Sequence, residues 1–217
     1  MTALEVAASL ALICASGVVL WPAVRPRPAP APHPAVGQTV TIGGRPVKGD
    51  PASPVGVVEF ADFQCPYCAR FAESMLPQLN EAYFSRASAF LVFRHLPIRT
   101  HPHALAAARA ASCAHEANQF WPFHDRLFKS AGSLNADTVA DTGKTLGLAP
   151  SWWRCMNSDR TDVTEDAADA ATLHVRSTPS FLIGHRESES SLRIVAVIEG
   201  IQPFEVFSKA IDDASTR

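Results

Sequence analysis

Two cysteines three residues apart, Cys65-Pro66-Tyr67-Cys68, follow the apolar run Val55-Gly56-Val57-Val58-Glu59-Phe60 and open a stretch compatible with a helix. A pair so placed says where a strand must end and a helix begin. It also says what chemistry the junction carries, because the first cysteine meets the unpaired N–H groups and positive end of the helix. That environment favours the thiolate, which is the form that attacks disulfides. The placement predicts Cys65 as the nucleophile and Cys68, one turn deeper, as the resolving thiol. Pro66 suits a first helical turn and, with Tyr67, makes up the loop of the candidate active site.

Other readings of the pair are weaker. A zinc site wants a second close-spaced pair, and Cys14, Cys113 and Cys155 are isolated. A purely structural disulfide across so short a loop removes little chain entropy. Soft-metal delivery by Cys65 and Cys68 remains an alternative, since such a pair suits copper(I) or zinc.

Far along the chain, Val175-Arg176-Ser177-Thr178-Pro179-Ser180-Phe181-Leu182-Ile183-Gly184 puts a proline directly before a short apolar strand. Taken alone it marks a turn or a sheet edge. Taken with Glu59-Phe60-Ala61-Asp62-Phe63-Gln64-Cys65-Pro66-Tyr67-Cys68, Cys113-Ala114, the block Phe120-Trp121-Pro122-Phe123-His124-Asp125-Arg126-Leu127-Phe128, Leu146-Gly147-Leu148 and Cys155, it resembles the DsbA-like disulfide oxidoreductases of the thioredoxin superfamily. The resemblance runs from about Val36 to the C-terminus.

The resemblance implies an α/β, thioredoxin-like fold with an inserted helical subdomain at about 100–175. It implies a cis peptide before Pro179, with the backbone of Thr178 aligning an extended substrate beside Cys65. It also implies a second disulfide in the insert. Cys113 and Cys155 lie on different expected helices, so a bridge between them would staple the insert, by loop closure worth about 4 kcal/mol; two buried free thiols are the alternative. Glu59 is an acid in an apolar strand, expensive to bury ionised, and resembles the acid such enzymes place beneath the resolving cysteine. Its expected role is proton exchange with Cys68, the alternative being a solvent-facing strand edge.

The opening residues are a different material. No charge occurs from Val6 to Trp21, and Pro22 to Pro34 alternates proline with Ala, Arg and His. Residues 1–24 are expected to be a signal-anchor or transmembrane segment, 25–37 a Pro/Ala-rich extended linker and 38–217 the catalytic domain. An anchor is favoured over a cleaved signal because no well-placed small-x-small site follows the apolar run. Arg25 and Arg27 after the run argue for a cytoplasmic domain by the positive-inside rule. The cysteines and the resemblance argue for a membrane-anchored domain in the periplasm or extracytoplasmic space.

The remaining elements follow from pattern. Thr39–Ile42 and Arg45–Lys48 around Gly43-Gly44 look like a small hairpin. Val55–Phe60 suits the centre of a sheet, and the helix after Cys68 is expected to kink at Pro77. Ala89–His95 is the next strand. Helical periodicity then runs from His101 to about Val175, with Ala106, Ala110, Cys113 and Ala117 on one stripe and Phe120, Phe123, His124, Leu127 and Phe128 on a second face. Further helices are expected at Leu134–Leu146 and Pro150–Asn157, strands at Ser180–Ile183 and Leu192–Glu199, and a last helix from Pro203 to about Asp213.

The 217 residues carry a formal charge of −2, so no basic excess suggests nucleic acid. His95, His101, His103 and His124 show no close carboxylate or thiol partner in sequence and read as structural or surface residues; no metal and no cofactor are expected. The expected activity is thiol–disulfide exchange with cysteine-containing protein substrates, as a disulfide donor. Its partners would be a membrane redox protein, a quinone-linked oxidase or a reductase, and the membrane itself through the N-terminal segment. A reductase or isomerase, or a tethered holdase, are the alternatives.

Overall fold

A computed structural model of the chain describes residues 31–216. The strands are β1 (Thr39–Thr41), β2 (Val47–Gly49), β3 (Val55–Ala61), β4 (Phe90–His95), β5 (Ser180–Ser188) and β6 (Ser191–Glu199). The helices are α1 (Pro66–Arg70), α2 (Leu76–Ala82), α3 (Ala104–Glu116), α4 (Phe120–Lys129), α5 (Ala136–Thr145), α6 (Pro150–Cys155), α7 (Thr161–Thr172) and α8 (Phe204–Ser215). The expected anchor or signal at 1–24, with Cys14, and the first part of the expected linker lie outside the described residues. Among the described residues, no helix is long and apolar enough to cross a membrane.

The six strands form one sheet in the order β1-β6-β5-β3-β4-β2. All seven residues of β3 are buried, as a continuous apolar run requires at the centre of a doubly covered sheet. It pairs parallel with β4 and antiparallel with β5. A parallel pair needs a crossover, and α1 and α2 supply it. Between them Phe71–Met75 is a wider, π-helical turn, and Pro77 sits in the first turn of α2. Lacking an N–H to donate back to Glu73, Pro77 breaks the regular ladder where a kink was expected.

The expected hairpin does not form. β1 pairs with β6 and β2 with β4, so the two segments sit at opposite edges of the sheet. Both edges offer ladders of unpaired backbone groups, and pairing there covers them. At the β1 edge the packing reaches back into residues expected as linker: Ala35 is buried, and Gly37 N–H donates to the Ile194 carbonyl at 2.8 Å.

One face of the sheet carries Val57, Leu91, Phe181 and Ile183 against Phe71, Leu79 and Phe207 of the crossover and α8. The other carries Val58, Phe60, Val92 and Leu182 against Ala170 and Leu173 at the end of α7. The insert has its own core, in which Ala110, Phe123, Leu127 and Trp152 pack together with Phe63, Cys65 and Cys68. The dithiol therefore lies where the insert meets the sheet.

Within the insert, α4 buries Phe120, Phe123, His124, Leu127 and Phe128, the face its spacing marks. The single stripe expected on α3 is not what packs. Ala106 and Ala117 are exposed, while Ala107, Ala111 and Ala114 are buried beside Ala110 and Cys113. α3 is contacted by α4, α5, α6 and α7, so one stripe cannot serve all four. α5 starts at Ala136 because Asn135 caps it, its side chain accepting Thr138 N–H at 2.9 Å. Gly143 on α5 is required by close approach: a Cβ there would stand 2.4 Å from the Trp152 ring.

Two links fasten the insert. A disulfide joins Cys113 on α3 to Cys155 at the end of α6, with Cα atoms 5.9 Å apart. A buried ion-pair network joins α7 to the sheet: Asp166 accepts from Arg94 and Arg45 at 2.7 Å each and from His95 N–H at 2.8 Å. Arg94 also donates to Asp169 at 2.7 Å and to the Thr41 carbonyl at 3.0 Å. With every oxygen of Asp166 engaged, burial of its charge is compensated.

Candidate active site

β3 ends at Ala61, the chain turns through Asp62-Phe63-Gln64, and α1 begins at Pro66 with Cys65 as its N-cap in extended conformation. A residue so placed has helix N–H groups ahead of it and nothing capping them. The Cys65 sulfur thus lies at the positive end of α1. Cys65 and Cys68 are both free thiols and both buried, whereas Pro66 and Tyr67 are exposed; Tyr67 is 57 % accessible beside the nucleophile.

The Thr178–Pro179 bond is cis. It precedes β5, which lies next to β3, so the loop before β5 and the loop after β3 meet at the same end of the sheet. The Cys65 thiol donates to the Thr178 carbonyl at 3.4 Å. The Thr178 hydroxyl is buried with no partner of its own and is free to face a Cys65 thiolate.

The two thiols are strongly unequal. The hydrogen bond from the Cys68 thiol pulls Cys65 down to about 5, working against burial, and the Thr178 hydroxyl and the N–H groups of Cys68 and Tyr67 pull further. Burial pushes Cys68 well above the usual thiol range, and its bond to Cys65 and the neighbouring charges of Cys65 and Glu59 add to this. At neutral pH the pair is one thiolate and one thiol, the state that thiol–disulfide exchange needs.

Glu59 is fully buried on β3, with neither carboxylate oxygen hydrogen-bonded. Its cross-strand neighbours are Phe93 and Phe181. Burial alone pushes it up to about 8, so it holds a proton at neutral pH.

The histidines require correction. His101 Nδ1 lies 2.8 Å from Asp62 and His124 Nδ1 lies 2.8 Å from its neighbour Asp125, so two of the four have carboxylate partners, one distant in sequence and one adjacent that the sequence reading passed over. Asp62 comes from a loop almost forty residues before His101, and local spacing carries no sign of it. His124 is fully buried and its affinity for a proton is lowered by that burial; burial also pulls His95 down to about 4. Asp62 itself is buried and heavily hydrogen-bonded. Cys113 and Cys155 are consumed by their own bond, and among the described residues no cluster of three or more metal-ligating side chains is present.

A dithiol at a helix N-terminus, opposed by a cis-proline loop across a sheet of this topology, defines the thiol–disulfide oxidoreductase class. The thioredoxin family model matches residues 41–213, and the chain belongs to that family. It superposes on alpha-DsbA1 of Wolbachia pipientis with a TM-score of 0.67 at 22% identity, over 80% of this chain and 92% of that one. It superposes on a thioredoxin-like oxidoreductase of Silicibacter pomeroyi with a TM-score of 0.68 at 29% identity, over 81% and 94%. Among curated proteins it is 34% identical over 155 residues to Na(+)/H(+) antiporter NhaA 1 of Salinispora arenicola, a match taking in 70% of this chain and 23% of the antiporter. The chain thus spans less than a quarter of that relative's length.

Proposed function

We propose that the protein donates disulfides to cysteine-containing proteins outside the cytoplasm. The observation that carries this reading is the placement of Cys65 at the N-cap of α1 next to Thr178, where the Cys68 thiol and the Thr178 hydroxyl draw its thiol down to about 5. A thiol drawn down to about 5 stabilises the reduced protein at pH 7 relative to a thiol that stays protonated, which raises the potential of the pair. A protein that holds its dithiol so well gives its disulfide away readily.

In the reaction, a substrate thiolate attacks Cys65 of the Cys65–Cys68 disulfide. The S–S bond breaks toward Cys68, which leaves as a thiolate and takes a proton, Glu59 being the buried acid on hand. A second substrate thiolate then attacks the substrate sulfur of the mixed disulfide. Cys65 leaves as a thiolate, the substrate disulfide forms, and two electrons remain on the enzyme dithiol. Its low pKa makes Cys65 a good leaving group in this last step. Thr178 aligns the extended substrate backbone by offering main-chain groups beside the sulfur.

Location follows the same logic. A Cys113–Cys155 disulfide persists where the compartment is oxidising. Attachment through residues 1–24 would hold the domain at a membrane beside a quinone-linked oxidase that restores the disulfide. The match to Na(+)/H(+) antiporters concerns a minor part of those proteins and lends no argument for ion transport.

The test is the reduction potential of the Cys65–Cys68 pair, by equilibration with glutathione buffers at pH 7. A disulfide donor gives a value nearer the roughly −120 mV of DsbA than the roughly −270 mV of thioredoxin. A value at the thioredoxin end turns the reading to a reductase, and a pair that does not cycle turns it to soft-metal delivery or a holdase.

A further inference from the structure

The turn that delivers the nucleophile is held by one carboxylate. Asp62 is 2 % exposed and bonds three groups outside itself: Gln64 N–H at 2.7 Å through one oxygen, and Ile98 N–H and His101 Nδ1 at 2.8 Å each through the other. A carboxylate only accepts, so His101 carries its proton on Nδ1. Gln64 extends the fastening, its side-chain carbonyl accepting His103 N–H at 2.9 Å. The segment after β4 and the start of α3 are thereby bolted to the three residues before Cys65.

The main chain of Asp62 meets the nucleophile directly: its carbonyl accepts Cys65 N–H at 3.0 Å. Any rotation of the Asp62 peptide therefore moves the backbone of Cys65. A carboxylate receiving two N–H bonds and an imidazole N–H costs much to loosen, since charge-assisted bonds are the strong ones.

We propose that Asp62 is a positioning residue for the nucleophile, its carboxylate fixed by Ile98 and His101 so that the turn places Cys65 at the N-terminus of α1. It acts through the cysteines and touches no substrate. The proposal deepens the redox reading of this site, yet its readout, the ionisation of Cys65, exists whether or not the protein turns over any substrate.

Charge and position predict opposite signs, which makes the proposal testable. Removing a nearby negative charge by itself makes a thiolate easier to form. Releasing the turn makes it harder, because the sulfur drifts from its donors. In the full, reduced chain, the thiolate absorbance of Cys65 is titrated for wild type, Asp62→Asn and His101→Ala, with Tyr83→Phe, on the far side of the crossover, as a control. Far-UV circular dichroism establishes that each variant is folded.

Asp62→Asn is expected to raise the Cys65 midpoint by about one pH unit or more, a tenfold loss of thiolate stability. His101→Ala moves it the same way by less, and Tyr83→Phe leaves it in place. The rate of attack on an aromatic disulfide reagent at pH 5 falls with the thiolate fraction in the first two. A midpoint unchanged or lowered in folded Asp62→Asn overturns the proposal. Should Asp62→Asn not fold, His101→Ala decides, and an unchanged midpoint there overturns it equally.

Discussion

The Cys65 thiol donates its hydrogen to the carbonyl of Thr178 at 3.4 Å, across a sequence separation of 113 residues. This contact ties the two loops that make the site, one at the end of β3 and one at the start of β5. The asymmetry of the two thiols has other causes: the Cys68 thiol and the Thr178 hydroxyl act as donors that draw Cys65 down, while burial pushes Cys68 up.

That asymmetry assigns the steps. Cys65→Ser is expected to abolish disulfide transfer, because the attacked sulfur is gone. Cys68→Ser retains a reactive Cys65, which attacks a disulfide-bonded peptide, expels one peptide thiolate and accumulates as the mixed disulfide, since no resolving thiol returns. Mass spectrometry of the adducts checks both; an adduct that accumulates on Cys68 in Cys65→Ser instead would reverse the roles.

Glu59 makes stability depend on pH. Its carboxyl is raised to about 8 in the fold from an ordinary value of 4.5, so between those values the unfolded chain is ionised while the native protein still holds the proton. Stability therefore falls as pH rises through that window, by up to about 4 kcal/mol. Glu59→Gln is expected to flatten the dependence and to stabilise the reduced protein at pH 8, while slowing reduction of the Cys65–Cys68 disulfide. Urea unfolding at pH 5 and pH 8 measures the first effect and stopped-flow reduction the second.

The insert depends on its staple. The Cys113–Cys155 bond closes a sequence separation of 42 residues, and removing it with the double change Cys113→Ala, Cys155→Ala costs up to about 4 kcal/mol by the loop-entropy model. Because Cys65 and Cys68 pack in the same core as Cys113, the cost is expected chiefly in α3 and α6, read as faster amide exchange there.

Asp166 is the hinge point of the buried ion network. Asp166→Ala leaves Arg94 and Arg45 without their shared partner and is expected to destabilise the fold by about 3–5 kcal/mol. Replacing Arg94 by Met in the same protein recovers part of that loss, because the stranded charge is then gone. Chemical denaturation of the two variants compares them.

Much of this was legible in the chain. The seven buried residues of β3 and the five of α4 follow from apolar runs and 3.6-residue spacing, which are local properties of side chains. So was the identity of the dithiol, since a Cys-x-x-Cys at a strand-to-helix junction needs only neighbouring residues to be recognised. What local pattern could not reveal was where edges would find partners. β1 and β2 look like a hairpin because a glycine pair separates them, yet each covers a different open edge, a choice made by the whole sheet. The α3 stripe failed likewise, because four helices press on α3 from different sides.

The order of elements, the reactive pair and the presence of an acid in the central strand were determined by the sequence itself, through periodicity and the chemistry of single residues. The Thr178–Pro179 loop beside Cys65 and the Cys113–Cys155 bridge were expected from the family resemblance and not from spacing, and only the tertiary structure decided that Asp62 would gather His101 and Ile98 around the nucleophile's turn. Each of these joins residues far apart in the chain, and a hydrogen bond or a disulfide depends on distance in space, which composition and spacing along the sequence do not contain.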